Sequence, residues 1–220
     1  FGSEALPATI FLLLLFIVPE SPRWLVEKGM KEKARAVLAK VGGSGFADAE
    51  VQSIEATLNQ EVETLGQLFK TDWRKVMILG IALAILQQVT GINVFLYYAP
   101  EIFKKLGSGG DAALLQTIVV GAVNLAFTIV AIWTVDRLGR KPLMMVGATG
   151  MGISLVAMGL AAQLQVISIW VVLCILAYIA CFALSVGPVT WVILSEIYPT
   201  RIRGRAMSVA TFFLWGANFV

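Results

Sequence analysis

Long runs without a charged side chain dominate this sequence and restrict what it can fold into. They extend from Ala5 to Pro19, Val76 to Pro100, Ala112 to Val135, Pro142 to Ser195 and Ala206 to Val220. A helix needs about 20 apolar residues to cross ~30 Å of hydrocarbon, so the second and third runs fit one span each. The 54 residues of the fourth must hold two spans, with Gln163-Leu164-Gln165 as the tight turn between them. The first and last runs are short of a span. With Phe1-Gly2-Ser3 at one end and Val220 at the other, both are read as incomplete, so the sequence is expected to be a fragment with six spans. A signal peptide is a poor reading of Ala5 to Val18, because no basic segment precedes it. With 58% hydrophobic and 14% charged residues, one soluble core could not hide the apolar surface.

The placement of the basic residues gives the orientation. Arg23 to Lys75 holds nine Lys and Arg; Lys104 and Lys105 follow; then come Arg137, Arg140 and Lys141, and finally Arg201, Arg203 and Arg205. Because loops alternate sides, fifteen of the seventeen fall on one side. That asymmetry puts the long basic segment in the cytoplasm. The net charge of +3 therefore reports topology, and no nucleic-acid partner is expected. With no His and no acidic cluster, no metal or other cofactor site is expected either. Cys174 and Cys181 lie two helical turns apart, too far for a disulfide, and read as small packing residues.

Between the first two spans lies the large polar insert. Lys28 to Val41 predicts a helix with Ala34, Val37, Leu38 and Val41 on one face, stopped by Gly42-Gly43-Ser44-Gly45. Asp48 to Thr64 predicts a second, with Val51, Ile54, Leu58 and Val62 apolar. Ser21-Pro22 suits a turn into the first. Within the spans, glycines such as Gly147, Gly150, Gly152 and Gly159 suit close helix packing.

Polar side chains inside spans need partners or a wet cavity. The second span carries Gln87, Gln88, Thr90 and Asn93, then Tyr97 and Tyr98; Asn124, Trp191, Trp215 and Asn218 lie in later spans. Interior Asp, Glu, Lys and Arg are lacking. Amides offer both donor and acceptor to hydroxyls, and Trp rings stack on the C–H face of a pyranose, so the set suits a neutral polyhydroxylated ligand. The alternative stays open that the amides only join helices. On an unbroken helix Gln87 and Gln88 lie about 240° and 140° around the axis from Asn93, so all three could not face one pocket. A break is predicted at Gly91, and a second at Gly187-Pro188.

Acid–arginine pairs recur at the predicted cytoplasmic ends: Pro19-Glu20-Ser21-Pro22-Arg23-Trp24-Leu25, Asp136-Arg137-Leu138-Gly139-Arg140-Lys141, and Glu196 with Arg201, Arg203 and Arg205. They could latch helix ends in one conformation, or be no more than solvated topology charge.

In combination, Gln87-Gln88-Val89-Thr90-Gly91-Ile92-Asn93 with Tyr97-Tyr98-Ala99-Pro100, the Pro19–Leu25 and Asp136–Lys141 motifs, and Gly187-Pro188-Val189-Thr190-Trp191 … Glu196 … Arg203-Gly204 resemble the sugar porter family of the major facilitator superfamily. Within it, the likeness is to bacterial xylose and hexose–proton symporters. The resemblance covers the whole chain. It implies an all-α membrane protein, the C-terminal half of a major facilitator fold with an intracellular helical domain, rocking between two access states. Residues 1–19 would be the sixth membrane helix, cut short. Residues 20–75 would be the intracellular domain, and 76–220 helices seven to eleven, the last also cut short. It implies Gln87, Gln88, Asn93, Tyr98, Asn124, Trp191 and Trp215 as sugar-binding, and Glu20, Arg23, Asp136, Arg140, Glu196 and Arg203 as the conformational charge network. Leu214 departs from the family, where an amide precedes the tryptophan. The proton-coupling carboxylate would lie in the absent first helix.

The expectation is a secondary transporter of a pentose, hexose or polyol, monomeric in the lipid bilayer, with a sugar and a proton as its small partners. A facilitative uniporter, a channel and a transporter-like sugar sensor are the alternatives. An enzyme is disfavoured, since the spans lack a nucleophile–base pair.

Overall fold

A computed structural model describes residues 5–58, 71–105, 110–164, 169–200 and 202–219. Every regular element among them is helical, as apolar runs without internal backbone partners in lipid require. The chain divides into two compact units, Phe1–Glu63 and Thr64–Val220.

In the smaller unit, α1 (Ala5–Leu15) is apolar, 11 residues long and exposed all round. Pro22 opens α2 (Pro22–Glu27), where its missing N–H is no loss. The amide of Met30 reaches back to the Leu25 carbonyl and that of Gly29 to Val26, which satisfies the helix end. The helix predicted from Lys28 therefore starts at Lys31, as α3 (Lys31–Leu58). The predicted four-residue stop is also narrower than expected. Gly43 alone leaves helical geometry, at φ 83° and ψ 175°, and the helix resumes at once. One residue in that region, open to glycine, is enough to turn the chain. Ala34 and Leu38 then pack with Ala47, Val51, Leu25 and Val26, while Val41, expected on the apolar face, is exposed. Lys31 pairs with Glu55 at 2.6 Å, and Arg35 with Asp48. Exposed pairs of this kind add little stability, so the apolar contacts hold the two limbs together. The end of the second predicted helix, with Val62 and Thr64, lies outside the described residues.

The larger unit holds α4 (Thr71–Val89), α5 (Ile92–Tyr97), α6 (Ala99–Lys105), α7 (Gly110–Leu138), α8 (Arg140–Gln163), α9 (Ile169–Cys181), α10 (Gly187–Ile197) and α11 (Arg203–Ala217). Among the described residues, four stretches are long and apolar enough to cross a membrane: Trp73–Tyr97, Leu114–Leu138, Arg140–Gln163 and Trp170–Ile197. The run expected to hold two spans does hold two. Helix α8 ends at Gln163 with Leu164 in the turn, and Gln165 lies outside the described residues. The first and last expected spans are represented by the shorter α1 and α11.

Helix α8 lies against α9, and α4 against α11. Two of the four glycines expected at close contacts make them. A Cβ on Gly147 would overlap the Ser185 side chain, and one on Gly150 would press on Cys181 Sγ. Gly152 and Gly159 face open space. Both cysteines are free thiols. The core gathers Ile92, Phe103, Val120, Met151, Ile175, Tyr178 and Ile179. Leu214 is 1% exposed, in the buried stripe of α11 with Ala206 and Ala210.

Candidate functional site

The break expected at Gly91 is present. Gly91 sits at φ 81° and ψ 16°, a left-handed conformation that costs an L side chain energy, so α4 stops at Val89 and α5 begins at Ile92. A helix end inside a membrane leaves carbonyls that need donors. The Thr90 hydroxyl donates to the Gln87 carbonyl (2.7 Å) and the Gly91 amide to Gln88 (2.9 Å). The Thr90 carbonyl is taken by the hydroxyl of Tyr178, from α9, at 2.5 Å.

The bend brings Gln88 and Asn93 together from opposite sides of Gly91. Asn93 Nδ2 donates to Gln88 Oε1 and to Asn218 Oδ1. A recess of about 420 Å³ opens here, lined by these three amides, the rings of Tyr97 and Tyr98, and Gly91. Among the described residues, the Gln88 and Asn218 amide N–H groups and Asn93 Oδ1 are left for a ligand.

Gln87 takes another direction. It is 4% exposed, and its Nε2 donates to the Gly187 carbonyl at 3.0 Å and to Val186 at 3.4 Å. Those carbonyls belong to the second irregular helix, which differs from expectation. The chain does not break at Gly187-Pro188. Instead Phe182–Val186 forms a π turn and the helix continues into α10. The ring of Pro188 would collide with the carbonyl four residues back, and a wide turn upstream relieves this without ending the helix. Ser185 Oγ bonds the Cys181 carbonyl and Thr190 Oγ1 the Val186 carbonyl, both at 2.7 Å. Gln87 Oε1 is buried with no partner among the described residues. The Gln87 residue lines a second recess, about 300 Å³, with Asn124, Thr128, Phe182, Pro188 and Trp191. Thr128 Oγ1 donates to the Asn124 carbonyl at 2.8 Å.

The seven sequence candidates are thus divided. Gln88, Asn93 and Tyr98 line one recess; Gln87, Asn124 and Trp191 line the other; Trp215, 51% exposed, lines neither. Leu214, where the resemblance expects an amide, is turned into the interior of the helix packing and lines neither recess. Thr128 and Tyr178 escaped the sequence reading. Thr128 could have been found four residues from Asn124, and Tyr178 as the lone hydroxyl of the apolar run Ile169–Cys181.

Of the charge candidates, three meet. Arg140 Nε lies 3.1 Å from both oxygens of Glu196, its Nη2 lies 2.6 Å from Oε1 of the same carboxylate, and Nη2 also pairs with Asp136 at 3.0 Å. The fork ties together the end of α7, the start of α8 and the end of α10. Arg203 caps instead, donating from Nε to the Tyr198 carbonyl at 3.1 Å. Glu20 and Arg23 belong to the smaller unit, on either side of the start of α2.

Long apolar helices, one broken at Gly91 and one widened by a π turn, flank amide-lined recesses, an arrangement that membrane transporters commonly place around a binding site. More particularly, the chain belongs to the family described as "Sugar (and other) transporter", which matches residues 1–220. It is 49% identical over 219 residues to the D-xylose-proton symporter of Escherichia coli K12, covering 100% of this chain and 44% of that one. It is 40% identical over 219 residues to the glucose facilitated diffusion protein of Zymomonas mobilis, covering 100% of this chain and 46% of that protein. The solved structure of the major facilitator superfamily proton:xylose symporter XylE bound to 6-bromo-6-deoxy-D-glucose superposes with a TM-score of 0.82 at 48% identity. That match covers 99% of this chain and 46% of the other. The fold is that of the major facilitator superfamily, and the chain spans about half the length of the relatives it matches.

Proposed function

We propose that the full-length protein is a secondary transporter that moves a neutral pentose, hexose or polyol across the cell membrane by alternating access, coupled to protons. One observation carries this reading: two recesses at irregular helices, lined by amides and aromatic rings with no Asp, Glu, Lys or Arg among the described lining residues. Gln87, Gln88, Asn93 and Asn124 would meet sugar hydroxyls, and Trp191 and Tyr98 would lie against the ring face. The sugars and the proton in the relatives' names support the substrate class and the coupling. On this reading residues 20–75 form a cytoplasmic domain, and the protein is a carrier rather than an enzyme. The Asp136–Arg140–Glu196 fork would hold cytoplasmic helix ends in one access state, and Glu20, Arg23 and Arg203 would join that network. A facilitative uniporter of the same sugars is the second reading, favoured by the facilitated-diffusion relative.

The test is uptake of labelled xylose, glucose, galactose and myo-inositol by cells expressing the full-length protein, with and without an uncoupler. Saturable uptake lost under the uncoupler supports symport, and uptake indifferent to it supports the uniporter. No saturable uptake of any of the four would remove the sugar assignment. For the fork, Arg140→Ala should change the labelling rate of a cysteine placed in the outward-facing cavity; an unchanged rate would refute the latch.

A further inference from the structure

We propose that Tyr178 is a positioning residue for the recess of Gln88 and Asn93: its hydroxyl and ring set the bend at Gly91 that makes those two amides neighbours. This rests on the sugar-transport reading for its consequence, though not for its geometry.

Glycine permits a wide range of backbone angles, so Gly91 allows a bend without choosing one. What chooses it must touch both sides of the break. Tyr178, fully buried on α9, does so. Its hydroxyl donates to the carbonyl of Thr90, the last residue before Gly91. Its ring lies 4.8 Å, centroid to centroid, from that of Phe95 on α5, at 46°. It also shares a buried cluster with Ile92, the first residue of α5. The Asn93 to Gln88 bond spans the same break, so the angle between the two helices governs whether these amides stay within reach of each other. An unpaired carbonyl inside a span costs free energy, and the Tyr178 hydroxyl answers the one freed at Thr90, so the hydroxyl favours this bend over others.

Tyr178→Phe keeps the ring and removes only the hydroxyl. Hydrogen–deuterium exchange on the full-length protein gives a readout independent of any sugar. Exchange at the amides of residues 91–94 should rise roughly tenfold, the scale expected for one lost buried hydrogen bond, while the amides of residues 143–158 stay as they were. Unchanged exchange at 91–94, or a rise across both segments, would overturn the positioning role. The second readout is sugar binding. The dissociation constant for whichever of the four sugars the wild type takes up should rise roughly tenfold in Tyr178→Phe. In an Asn93→Ala background that penalty should vanish, because the residue acts through the amide pair. Equal penalties in the two backgrounds would mean that Tyr178 does not act through Asn93 and would overturn the proposal. If the wild type binds no sugar, the functional reading fails, and the exchange experiment still decides the clamp.

Discussion

Two helices of the larger unit depart from α geometry by opposite means. At Gly91 the chain takes a left-handed residue and the helix ends and restarts. Near Pro188 it stays helical and widens into a π turn ahead of the proline. The freed carbonyls are answered differently as well. The π turn is served largely from within, by Ser185 and Thr190, both on the same helix. The break at Gly91 depends on Tyr178, brought from another helix, for one of its carbonyls. A glycine break is thus a joint that needs an external holder, whereas the π turn ahead of the proline largely carries its own. The long side chains Tyr178 in one direction and Gln87 in the other link the broken helix to the helix that carries the π turn.

The largest effect that tests this contrast is expected outside both helices, where α8 backs the π turn. A valine at Gly147 would drive its branched side chain into Ser185, and the Cys181 carbonyl behind it is backbone that cannot swing aside. Gly147→Val should destabilise by about 3 kcal/mol, at the upper end for overpacking a close contact. Gly152→Val on the same helix meets nothing and should stay close to wild type. Thermal unfolding of the detergent-purified proteins compares them. Equal midpoints would mean that the π turn is not braced by α8.

Next is the break itself. Gly91→Val puts a β-branched residue at φ 81° and should cost about 2 kcal/mol. Gly91→Asn, a residue that tolerates left-handed geometry, should cost less than half of that. A valine variant as stable as the asparagine variant would show that the chain escapes the left-handed conformation without penalty. That would dissolve the distinction between the two helices.

How far these features could be read from sequence follows the same division. Charge-free runs fixed the membrane helices because hydrocarbon leaves no other solution for the backbone. Gly91 stood out because amides that could not share one helix face flanked it. The sorting of Gln87 and Gln88 into separate recesses did not stand out, since the rotation of α4 is set by packing on α11 and α10 and by the bond from Gln87 to Gly187. The π turn was hidden for a related reason. A proline marks where a helix is in difficulty, but the relief fell on Phe182–Val186, whose residues are ordinary helix formers. Gly43 shows the reverse error: four turn-forming residues suggested a loop where one sufficed. Tyr178 stood out only as a lone hydroxyl in an apolar run; its partner was not legible, because a backbone carbonyl carries no side-chain signature.

A smaller stability change with a large functional one is expected at Gln87, the bridge from the joint to the turn. Gln87→Leu removes the Nε2 bonds, but the Val186 carbonyl keeps Thr190, and the unpartnered Oε1 goes too. Stability should move by under about 1 kcal/mol, the net worth of an ordinary hydrogen bond. Sugar uptake should fall by at least roughly tenfold, because the recess of Asn124 and Trp191 loses one of its two lining amides. Normal uptake with normal stability would show that this amide joins helices and nothing more. Destabilisation by several kcal/mol would show that the two irregular points hold each other up far more than their bond count suggests.

The smallest effect should be at Pro188, where intuition from sequence would place one of the largest. Pro188→Ala returns an N–H to the helix and removes the ring that pushes the chain wide. If the π turn existed only because of the ring, the helix would revert to α geometry, shift Phe182 and Ser185 around the axis, and disturb the Gly147 contact. The local bonds argue against reversion: Ser185 and Thr190 hold the Cys181 and Val186 carbonyls, and Gln87 draws the Gly187 carbonyl toward α4. With the turn retained, alanine should change stability by only about 0.5 kcal/mol, the low end of what a proline in compatible geometry contributes through the unfolded chain, and KM by less than about twofold. Thermal unfolding and uptake kinetics on the same membrane preparations measure both. If Pro188→Ala were to lower uptake as severely as Gly91→Val, the turn would be a joint like the break, with proline rather than its hydroxyls and Gln87 as the element that sets it.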